Sequence, residues 1–176
     1  EEQTAIFDMA RAFGAEHIAP HARAWEAAGT IPRTLWPELA ALGFGGLYVS
    51  EDSGGSGLSR LDATLVFEAL SQSCASVAAF LSIHNMCARM IDSYGSDEMR
   101  ARVLPRALTM ETILSYGLTE PGSGSDALAA KTRADLSPDG KHYILNGQKM
   151  WITNAGFADI FIVFAQVDGD KFTGFL

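Results

Sequence analysis

The sequence predicts an α+β fold in which an all-helical N-terminal part precedes a β-rich part. Up to about residue 110, apolar residues recur at the three- and four-residue spacing of amphipathic helices. After Glu111 the pattern changes to short runs of β-branched and aromatic residues that are separated by turn residues, as in strands. Because helices and strands are segregated rather than alternating, the sequence argues against a parallel α/β sheet.

The first helical segment runs from Thr4 to Trp25, where the apolar side chains share one helix face. The positions on this face are Ile6, Met9, Ala10, Phe13, His17 and Ile18. Pro20 removes a backbone donor and is expected to interrupt or bend the helix. A second helix is predicted from Pro32, a residue suited to a first turn, to a stop at Gly43.

Glycine and hydroxyl residues crowd the next segment, residues 50–59. So many permissive residues predict a loop, and a flexible connector is its default interpretation. Three further helices are predicted over residues 61–73, 76–94 and 96–110. Ser96 is a suitable N-cap for the last of them, followed by two acidic residues in the electropositive first turn.

The rest of the chain contains five strand-like runs: residues 113–116, 131–134, 143–145, 150–152 and 160–165. The dipeptide Asn146-Gly147 predicts a two-residue hairpin, because both residues tolerate the positive φ of a type I′ turn. Asp139-Gly140 predicts a second turn. The expected domains are an N-terminal α-helical domain at residues 1–111 and an incomplete β domain at residues 112–176.

The composition limits the classes of function. Hydrophobic residues make up 48% of the chain, but no run approaches the roughly 18 uncharged apolar residues of a membrane span. A net charge of −8 repels a polyanion, so nucleic acid is not an expected partner. Cys74 and Cys87 lack a partner motif, which fits packing roles in a reducing compartment. His17 and His21 lack the flanking carboxylates of a metal site, so no metal ligand is assigned.

Two segments carry the candidate chemistry. Residues 118–126 (LTEPGSGSD) form a glycine and hydroxyl loop, whose amides and hydroxyls can closely approach ligand oxygens. Residues 146–154 (NGQKMWITN) add an indole and a hydroxyl. A dinucleotide-binding βαβ unit is excluded, because Gly122 and Gly124 lack the third glycine, the following helix and the ribose-binding acid. A P-loop is excluded because no Gly-Lys-Ser/Thr is present.

The paired segments resemble those of the acyl-CoA dehydrogenase family, whose members hold FAD with a Thr-Glu-Pro-Gly loop and a Trp-Ile-Thr segment. The resemblance covers essentially the whole chain and includes residues 43–46 (GFGG), 54–59 (GGSGLS) and 83–88 (IHNMCA). Residues 56–69 and 84–87 are most similar to the family branch that acts on isobutyryl-CoA, a short branched-chain thioester. The resemblance implies a helical domain, a β-barrel-like or β-sandwich middle domain, and a C-terminal helical bundle that is missing from these residues.

The resemblance also implies which residues bind FAD: Tyr116, Leu118, Thr119, Gly124, Ser125, Trp151, Ile152 and Thr153. In this assignment the Thr119 hydroxyl bonds the pyrimidine side of the flavin. Gly124 and Ser125 receive the pyrophosphate, and Ser125 also lies beside the bound acyl-CoA. Trp151 packs on the flavin and Thr153 bonds near its N5 atom. Strand alternation would place Trp151 and Thr153 on the same face, with Ile152 pointing away.

Two acidic residues in the loop are given a structural role. An ionised carboxylate pointing at phosphates would be repelled, so Glu120 and Asp126 are interpreted as hydrogen-bond acceptors that fix the loop. The family's base is a glutamate of the missing C-terminal section, so no catalytic residue is assigned in this chain. On the helix of residues 76–94, one stripe is interpreted as core, with an acyl pocket as the alternative. This stripe comprises Phe80, Leu81, Ile83, His84 and Cys87.

The activity that the resemblance implies is FAD-dependent α,β-dehydrogenation of an acyl-CoA. Electron-transfer flavoprotein is the expected acceptor, and a homodimer or homotetramer is the expected assembly. An acyl-CoA oxidase and a non-catalytic flavin-binding scaffold remain as alternatives. The absence of a visible signal favours the cytoplasm, with the mitochondrial matrix as the alternative. Residues 171–176 end the sequence in an apolar strand-like run, from which we expect a partial chain.

Overall fold

The computed structural model of the protein describes residues 1–169 and 171–176 and divides into two compact units, Glu1–Ile113 and Leu114–Leu176. In the first unit the α-helices are α1 (Glu2–Phe13), α2 (Ala22–Ala28), α3 (Leu35–Ala41), α4 (Arg60–Ser71), α5 (Ala75–Tyr94) and α6 (Asp97–Leu108). In the second unit the strands are β1 (Leu114–Gly117), β2 (Arg133–Leu136), β3 (Tyr143–Asn146), β4 (Ile160–Val167) and β5 (Lys171–Phe175). The predicted order of helices followed by strands is confirmed. Among the described residues, no helix is both long and apolar enough to cross a membrane.

The first predicted helix is present, but it is not regular throughout. After α1 the chain continues as a π-helical turn, Gly14–Ile18, and leaves the helix before α2. The predicted interruption at Pro20 is therefore confirmed, as the missing N–H of proline requires. The predicted helix start at Pro32 is wrong. Helix α3 begins at Leu35, and the Pro32 carbonyl accepts a hydrogen bond from the Leu35 N–H in the preceding turn (3.2 Å).

The predicted helices of residues 61–73, 76–94 and 96–110 are observed as α4, α5 and α6, with ends that shift by two residues or fewer. Helix α4 begins with a reciprocal capping box between Ser59 and Asp62. The predicted N-cap of α6 is confirmed, because the Ser96 hydroxyl accepts a hydrogen bond from the Met99 N–H (3.2 Å). Local sequence signals therefore fix where α4 and α6 start.

Apolar side chains of the helices form the core of the first unit. Trp36 of α3 stacks on Phe80 of α5, and the centroids of their rings are 5.5 Å apart. Cys87 is fully buried, and burial raises the pKa of its thiol to about 12. Such a thiol stays protonated and unreactive, so the predicted packing role of Cys87 is confirmed.

A buried amide side chain of α5 anchors the first half of residues 43–59. The side chain of Asn85 accepts a hydrogen bond from the Leu47 N–H (2.7 Å) and donates one to the Phe44 carbonyl (2.8 Å). Asn85 is fully buried. Backbone groups of a non-helical segment need such partners when they lie inside a protein.

A carboxylate of α5 holds the second half of the same segment, which corrects the expectation that residues 50–59 form a flexible connector. Asp92 accepts hydrogen bonds from the N–H (3.1 Å) and hydroxyl (2.9 Å) of Ser50 and from the hydroxyl of Ser53 (2.6 Å). Glycine is required where the segment approaches α6, since a Cβ atom at Gly45 would lie 2.2 Å from the Leu108 carbonyl oxygen. The glycine-rich sequence therefore produces close packing here rather than mobility.

The strands form one mixed sheet, in which β4 is the central strand. Strand β1 pairs parallel with the first half of β4, with Leu114 opposite Ile160. Strand β2 pairs parallel with the end of β4, where Arg133 lies opposite Gln166. Strand β5 pairs antiparallel with the same part of β4 and places Phe172 opposite Gln166. Strands β1 and β2 therefore share one edge of β4, and β5 occupies the other.

The hairpin predicted at Asn146-Gly147 is wrong. Asn146 ends β3 opposite Arg133, and neither Asn146 nor Gly147 has the positive φ of a type I′ turn. The observed hairpin joins β2 to β3, and its turn contains Asp139 and Gly140 (φ 69°). The second predicted turn is therefore confirmed, and it is the one that fixes this hairpin.

The strand predicted at residues 150–152 is also wrong. Trp151 has a φ of 55°, which lies in the left-handed region and is incompatible with an extended strand. The other four strand-like runs are observed as β1 to β4, with bounds shifted by no more than two residues. Residues 147–159 therefore form an irregular connection between β3 and β4.

Candidate functional site

The two segments that the sequence singles out are adjacent in the second unit. The first follows β1, and the second lies between β3 and β4. A backbone hydrogen bond joins them directly, from the Met150 N–H to the Thr119 carbonyl (2.8 Å). Thr119 and Trp151 are therefore held near each other, although more than 30 residues separate them in sequence.

A buried ion pair links the same two segments. The Lys149 ammonium lies 2.8 Å from Glu120 Oε1, and the two side chains are 14% and 7% exposed. Lys149 Nζ also donates a hydrogen bond to the Leu118 carbonyl (3.0 Å). The Glu120 carboxylate further accepts hydrogen bonds from the backbone N–H groups of Lys131 (2.6 Å) and Thr132 (3.0 Å).

These contacts determine the protonation state of Glu120. Burial by itself would raise the pKa of its carboxyl group. The hydrogen bonds from Lys149, Thr132 and Lys131 outweigh burial and lower the pKa to about 2. Glu120 is therefore an ionised carboxylate whose hydrogen-bond capacity is used inside the protein, and the predicted loop-fixing role of Glu120 is confirmed.

The turn after Thr119 is closed by reciprocal backbone hydrogen bonds. The Glu120 N–H donates to the Ser123 carbonyl (2.9 Å), and the Ser123 N–H donates to the Glu120 carbonyl (3.1 Å). The Ser123 hydroxyl donates to the Asp126 carbonyl (2.7 Å). The prediction that the Asp126 carboxylate fixes the loop is wrong. Its carboxylate is exposed and caps no backbone N–H, and the acceptor at this position is its main-chain carbonyl.

The glycines of this turn are not required by the fold. Gly122 and Gly124 are exposed, neither lies in the left-handed region, and a Cβ atom at either would have no heavy atom within 4 Å. Ser125 is exposed beside them. Their small size therefore leaves backbone amides and a hydroxyl open to solvent, a surface that a ligand oxygen can approach.

Trp151 combines an exposed side chain with a strained backbone conformation. Its indole is 86% exposed, and its backbone has a positive φ, which is uncommon for residues other than glycine. The prediction that alternation along a strand puts Trp151 and Thr153 on one face is therefore wrong, because no strand exists here. The exposed ring is available to stack on an aromatic ligand.

Hydrogen bonds with β1 fix the residues that follow Trp151. The Ser115 hydroxyl donates to the Thr153 carbonyl (2.6 Å), and the Asn154 side-chain amide donates to the Leu114 carbonyl (3.0 Å). Asn154 is buried and also has a positive φ (71°). The surrounding structure therefore imposes the local conformation of this segment.

The remaining predicted FAD-binding residues occupy different environments. Tyr116 of β1 is half-buried, with its ring centroid 5.1 Å from that of Phe164. Leu118 and Ile152 are half-buried, and Thr153 is exposed. Aromatic, apolar and hydroxyl side chains are thus present in the two joined segments.

The acyl-pocket alternative for α5 does not fit the burial of its residues. Phe80, Leu81, His84 and Cys87 are buried, and only Ile83 is half-buried. Burial lowers the pKa of His84 to about 4, against hydrogen bonds to the backbone of Ala107 and Gly45. A neutral, fully enclosed imidazole is part of the core, as the default interpretation predicted.

The two histidines of the first helical segment each have a partner in the first unit. His17 Nδ1 lies 2.9 Å from Glu38 Oε2, and the His21 ring stacks on Trp25. No group of three His, Cys, Asp or Glu side chains suited to a metal ion occurs in residues 1–169 and 171–176.

Sequence reasoning missed the contributions of Lys149, Ser115 and Asn154. A lysine is by default a solvated surface residue, so the residue type alone does not predict that Lys149 is buried. One signal was available. An acidic side chain that must turn away from a phosphate needs a cation or amide donors inside the protein, and Lys149 is the lysine of the second segment.

Two family profiles match this chain. "Acyl-CoA dehydrogenase, N-terminal domain" matches residues 1–111, and "Acyl-CoA dehydrogenase, middle domain" matches residues 115–176. Among curated proteins, "Isobutyryl-CoA dehydrogenase, mitochondrial" of Dictyostelium discoideum is 48% identical over 97% of this chain and 41% of that protein. The protein of the same name from Bos taurus is 48% identical over 96% of this chain and 40% of its own length. The chain therefore spans less than half the length of these relatives.

The fold also matches solved structures. A glutaryl-CoA dehydrogenase from Mycobacterium smegmatis in complex with FADH2 has a TM-score of 0.92 and 32% sequence identity, covering 99% of this chain and 45% of that one. The match spans both units of the chain. The family profiles, the curated relatives and the solved structure therefore all indicate the same family.

Proposed function

Because this chain belongs to the acyl-CoA dehydrogenase family, we propose that the protein catalyses FAD-dependent α,β-dehydrogenation of an acyl-CoA thioester. The proposed substrate class is short branched acyl-CoA such as isobutyryl-CoA, supported by 48% identity to two isobutyryl-CoA dehydrogenases. The observation that carries the proposal is the exposed Trp151 indole, fixed at a left-handed backbone beside Thr119.

The residues of the two segments fit a flavin dinucleotide in their chemistry. A flavin requires an apolar or aromatic surface for its ring, and its pyrophosphate requires amides or hydroxyls. Trp151 offers an exposed aromatic face, while Gly122, Gly124 and Ser125 leave backbone and hydroxyl groups open. Glu120, an acid of the first segment, is paired with Lys149 inside the protein.

We assign the residues of the chain to parts of FAD on the basis of the family resemblance. Tyr116, Leu118 and Ile152 contribute apolar surface at the ring, and Trp151 packs on it. The hydroxyls of Thr119 and Thr153 hydrogen-bond its polar edge, Thr119 on the pyrimidine side and Thr153 near N5. Gly124 and Ser125 bind the pyrophosphate, and Ser125 also contacts the acyl-CoA.

The division of labour in the reaction follows from these roles. FAD, when bound, supplies the acceptor for the hydride that leaves the β-carbon of the thioester. The residues of this chain bind and orient the ring. No residue of this chain is assigned as the base that removes the α-proton. The family resemblance places that glutamate in a C-terminal helical domain.

The domain organisation and partners are part of the same proposal. We divide the chain into domains at residues 1–111 and 112–176, a division that the ranges of the two family profiles support. Electron-transfer flavoprotein is the proposed electron acceptor, and a homodimer or homotetramer is the proposed assembly. The mitochondrial names of the two relatives support the mitochondrial matrix over the cytoplasm as the location.

Anaerobic addition of isobutyryl-CoA to the purified full-length protein tests the activity. Loss of the visible flavin absorption band is expected, because dehydrogenation leaves the flavin reduced. Straight-chain and 2-methylbutyryl thioesters serve as comparisons, and slower bleaching with them would support the branched-chain assignment.

Three other outcomes would contradict parts of the proposal. A yellow protein that no acyl-CoA bleaches would indicate a non-catalytic scaffold. Stoichiometric peroxide formation in air would indicate an oxidase. A colourless protein that does not take up FAD would overturn the flavin assignment itself.

A further inference from the structure

We propose that the buried Glu120–Lys149 ion pair consists of positioning residues, which set the geometry between the two FAD-binding segments. The inference rests on the proposed function. Neither residue belongs to the FAD-binding set, and neither acts on substrate. Their contribution is the relative placement of Thr119, which directly precedes Glu120, and Trp151, which follows Lys149 by two residues.

Glu120 is fully engaged within the protein. Its Oε1 accepts hydrogen bonds from Lys149 Nζ (2.8 Å) and the Thr132 N–H (3.0 Å), and its Oε2 accepts one from the Lys131 N–H (2.6 Å). Because the side chain is only 7% exposed, it is shielded from solvent and ligands. Glu120 thus ties the first segment to the two residues that immediately precede β2.

Lys149 connects the second segment to two points of the first. Its ammonium donates to the Leu118 carbonyl (3.0 Å) and to Glu120 (2.8 Å), residues on either side of Thr119. The next residue, Met150, donates its N–H to the Thr119 carbonyl (2.8 Å). Three contacts therefore converge on residues 118–120 from the two residues that precede Trp151.

Stability alone does not account for burying this pair. The desolvation of two charges offsets much of their attraction, and apolar side chains of similar volume often stabilise a protein equally well. The best-attested use of buried polar groups is to select one register among alternatives. Here the pair would select the register of the second segment against the first. This register matters for binding, because a site loosened by about 1 Å loses much of its function.

The test is Lys149→Met in the full-length protein, which removes the charge and both hydrogen bonds but keeps an unbranched side chain. Lys171→Met is the matched control, because Lys171 pairs with Asp168 in the same unit but both side chains are more than 70% exposed. The FAD dissociation constant is measured by quenching of flavin fluorescence. Circular dichroism and thermal unfolding of the apoprotein are recorded for each variant.

We expect Lys149→Met to weaken FAD binding by about tenfold or more, equivalent to about 1.4 kcal/mol, at a temperature where its apoprotein is fully folded. Lys171→Met should bind FAD like the wild type. Lys149→Arg, which keeps a cation and donors, should recover most of the affinity. A purely structural pair would lower the unfolding temperature and leave the affinity of the folded protein unchanged.

Equal FAD affinity of the Lys149→Met and Lys171→Met proteins would overturn the positioning role while leaving the proposed function intact. If Lys149→Met does not fold, Glu120→Gln decides, because the amide keeps the shape but loses the charge. Wild-type affinity in Glu120→Gln would then overturn the proposal. A wild-type protein that binds no FAD would overturn the proposed function and this inference together.

Discussion

Trp151 has two properties that each cost free energy while no ligand is bound. A non-glycine residue in the left-handed region carries roughly 1–2 kcal/mol of strain. Its indole is 86% exposed and makes little use of its apolar surface within the chain. Both properties persist because Thr119, Ser115 and Asn154 fix the backbone around it through hydrogen bonds. Strain that the surrounding structure maintains at an exposed aromatic residue supports a binding role.

This residue gives a prediction that separates binding from stability. In Trp151→Gly, glycine relieves the strain but increases the conformational entropy of the unfolded chain, so the two effects nearly offset. We expect the free energy of unfolding of the apoprotein to change by less than about 1 kcal/mol. FAD affinity should fall by about tenfold or more, since stacking on an aromatic ring contributes roughly 1–3 kcal/mol. Urea unfolding and FAD titration measure the two quantities.

Tyr143→Ala is the control, because Tyr143 is another exposed aromatic residue of the same unit and lies outside both segments. It should leave FAD affinity unchanged. If Trp151→Gly destabilises the apoprotein by several kcal/mol and leaves FAD affinity intact, the indole has a structural role and the flavin contact is wrong.

Only part of the site could be predicted at the level of single residues. The loop-fixing role of Glu120 followed from electrostatics alone, because an ionised acid beside a phosphate site must find its partners elsewhere. The same reasoning failed for Asp126, whose exposed carboxylate needs no partner because water solvates it. Lys149 was missed because only the tertiary structure brings it to Glu120.

At the scale of secondary structure, what could be predicted depended on how local the determining interactions are. Helix α6 begins where its cap lies in the sequence, since Ser96 bonds an N–H only three residues away. The segment around Trp151 looks like a strand by composition. Its conformation is imposed by Ser115 and Thr119, which are more than 30 residues away in sequence. Strand propensity is a weak guide where such distant contacts decide.

Helix α5 anchors residues 43–59, and the contribution of Asn85 to this anchoring can be measured. In Asn85→Ala, the Leu47 N–H and the Phe44 carbonyl lose a buried partner. Each unsatisfied group costs roughly 1–3 kcal/mol, so we expect a loss of roughly 2–5 kcal/mol in the free energy of unfolding. Ser82→Ala is the matched control on the same helix. The Ser82 hydroxyl bonds only a carbonyl of α5 itself, and the expected change is within about 0.5 kcal/mol.

Chemical unfolding followed by circular dichroism compares these two variants. A loss in Asn85→Ala no greater than that in Ser82→Ala would mean that residues 43–59 hold their conformation without α5. The anchored-loop interpretation would then be wrong.

At the scale of the whole molecule, each unit contains a buried group whose pKa shift is large and whose titration opposes folding in acid. In the helical unit, burial lowers the pKa of His84 to about 4 from an ordinary value of 6.5. In the β unit, hydrogen bonds lower the pKa of Glu120 to about 2 from an ordinary value of 4.5, despite burial. In both cases the unfolded chain binds a proton at a higher pH than the folded chain does.

The two pH windows follow from these directions. His84 favours folding fully above pH 6.5, and its contribution is lost as the pH falls towards 4. Glu120 favours folding fully above pH 4.5, and its contribution is lost as the pH falls towards 2. Each group contributes a slope of up to about 1.4 kcal/mol per pH unit within its window. Acid should therefore weaken the helical unit first.

Urea unfolding of the full chain at a series of pH values, followed by the helical circular dichroism band, tests this order. His84→Gln should flatten the dependence between pH 6.5 and 4, because the amide does not titrate. Glu120→Gln should leave that range unchanged and flatten the range between pH 4.5 and 2. His142→Gln, at an exposed histidine of the β2–β3 turn, is the control and should follow the wild type. A wild-type slope in His84→Gln would show that the imidazole is not held neutral, and the helical unit would then owe its acid sensitivity to other groups.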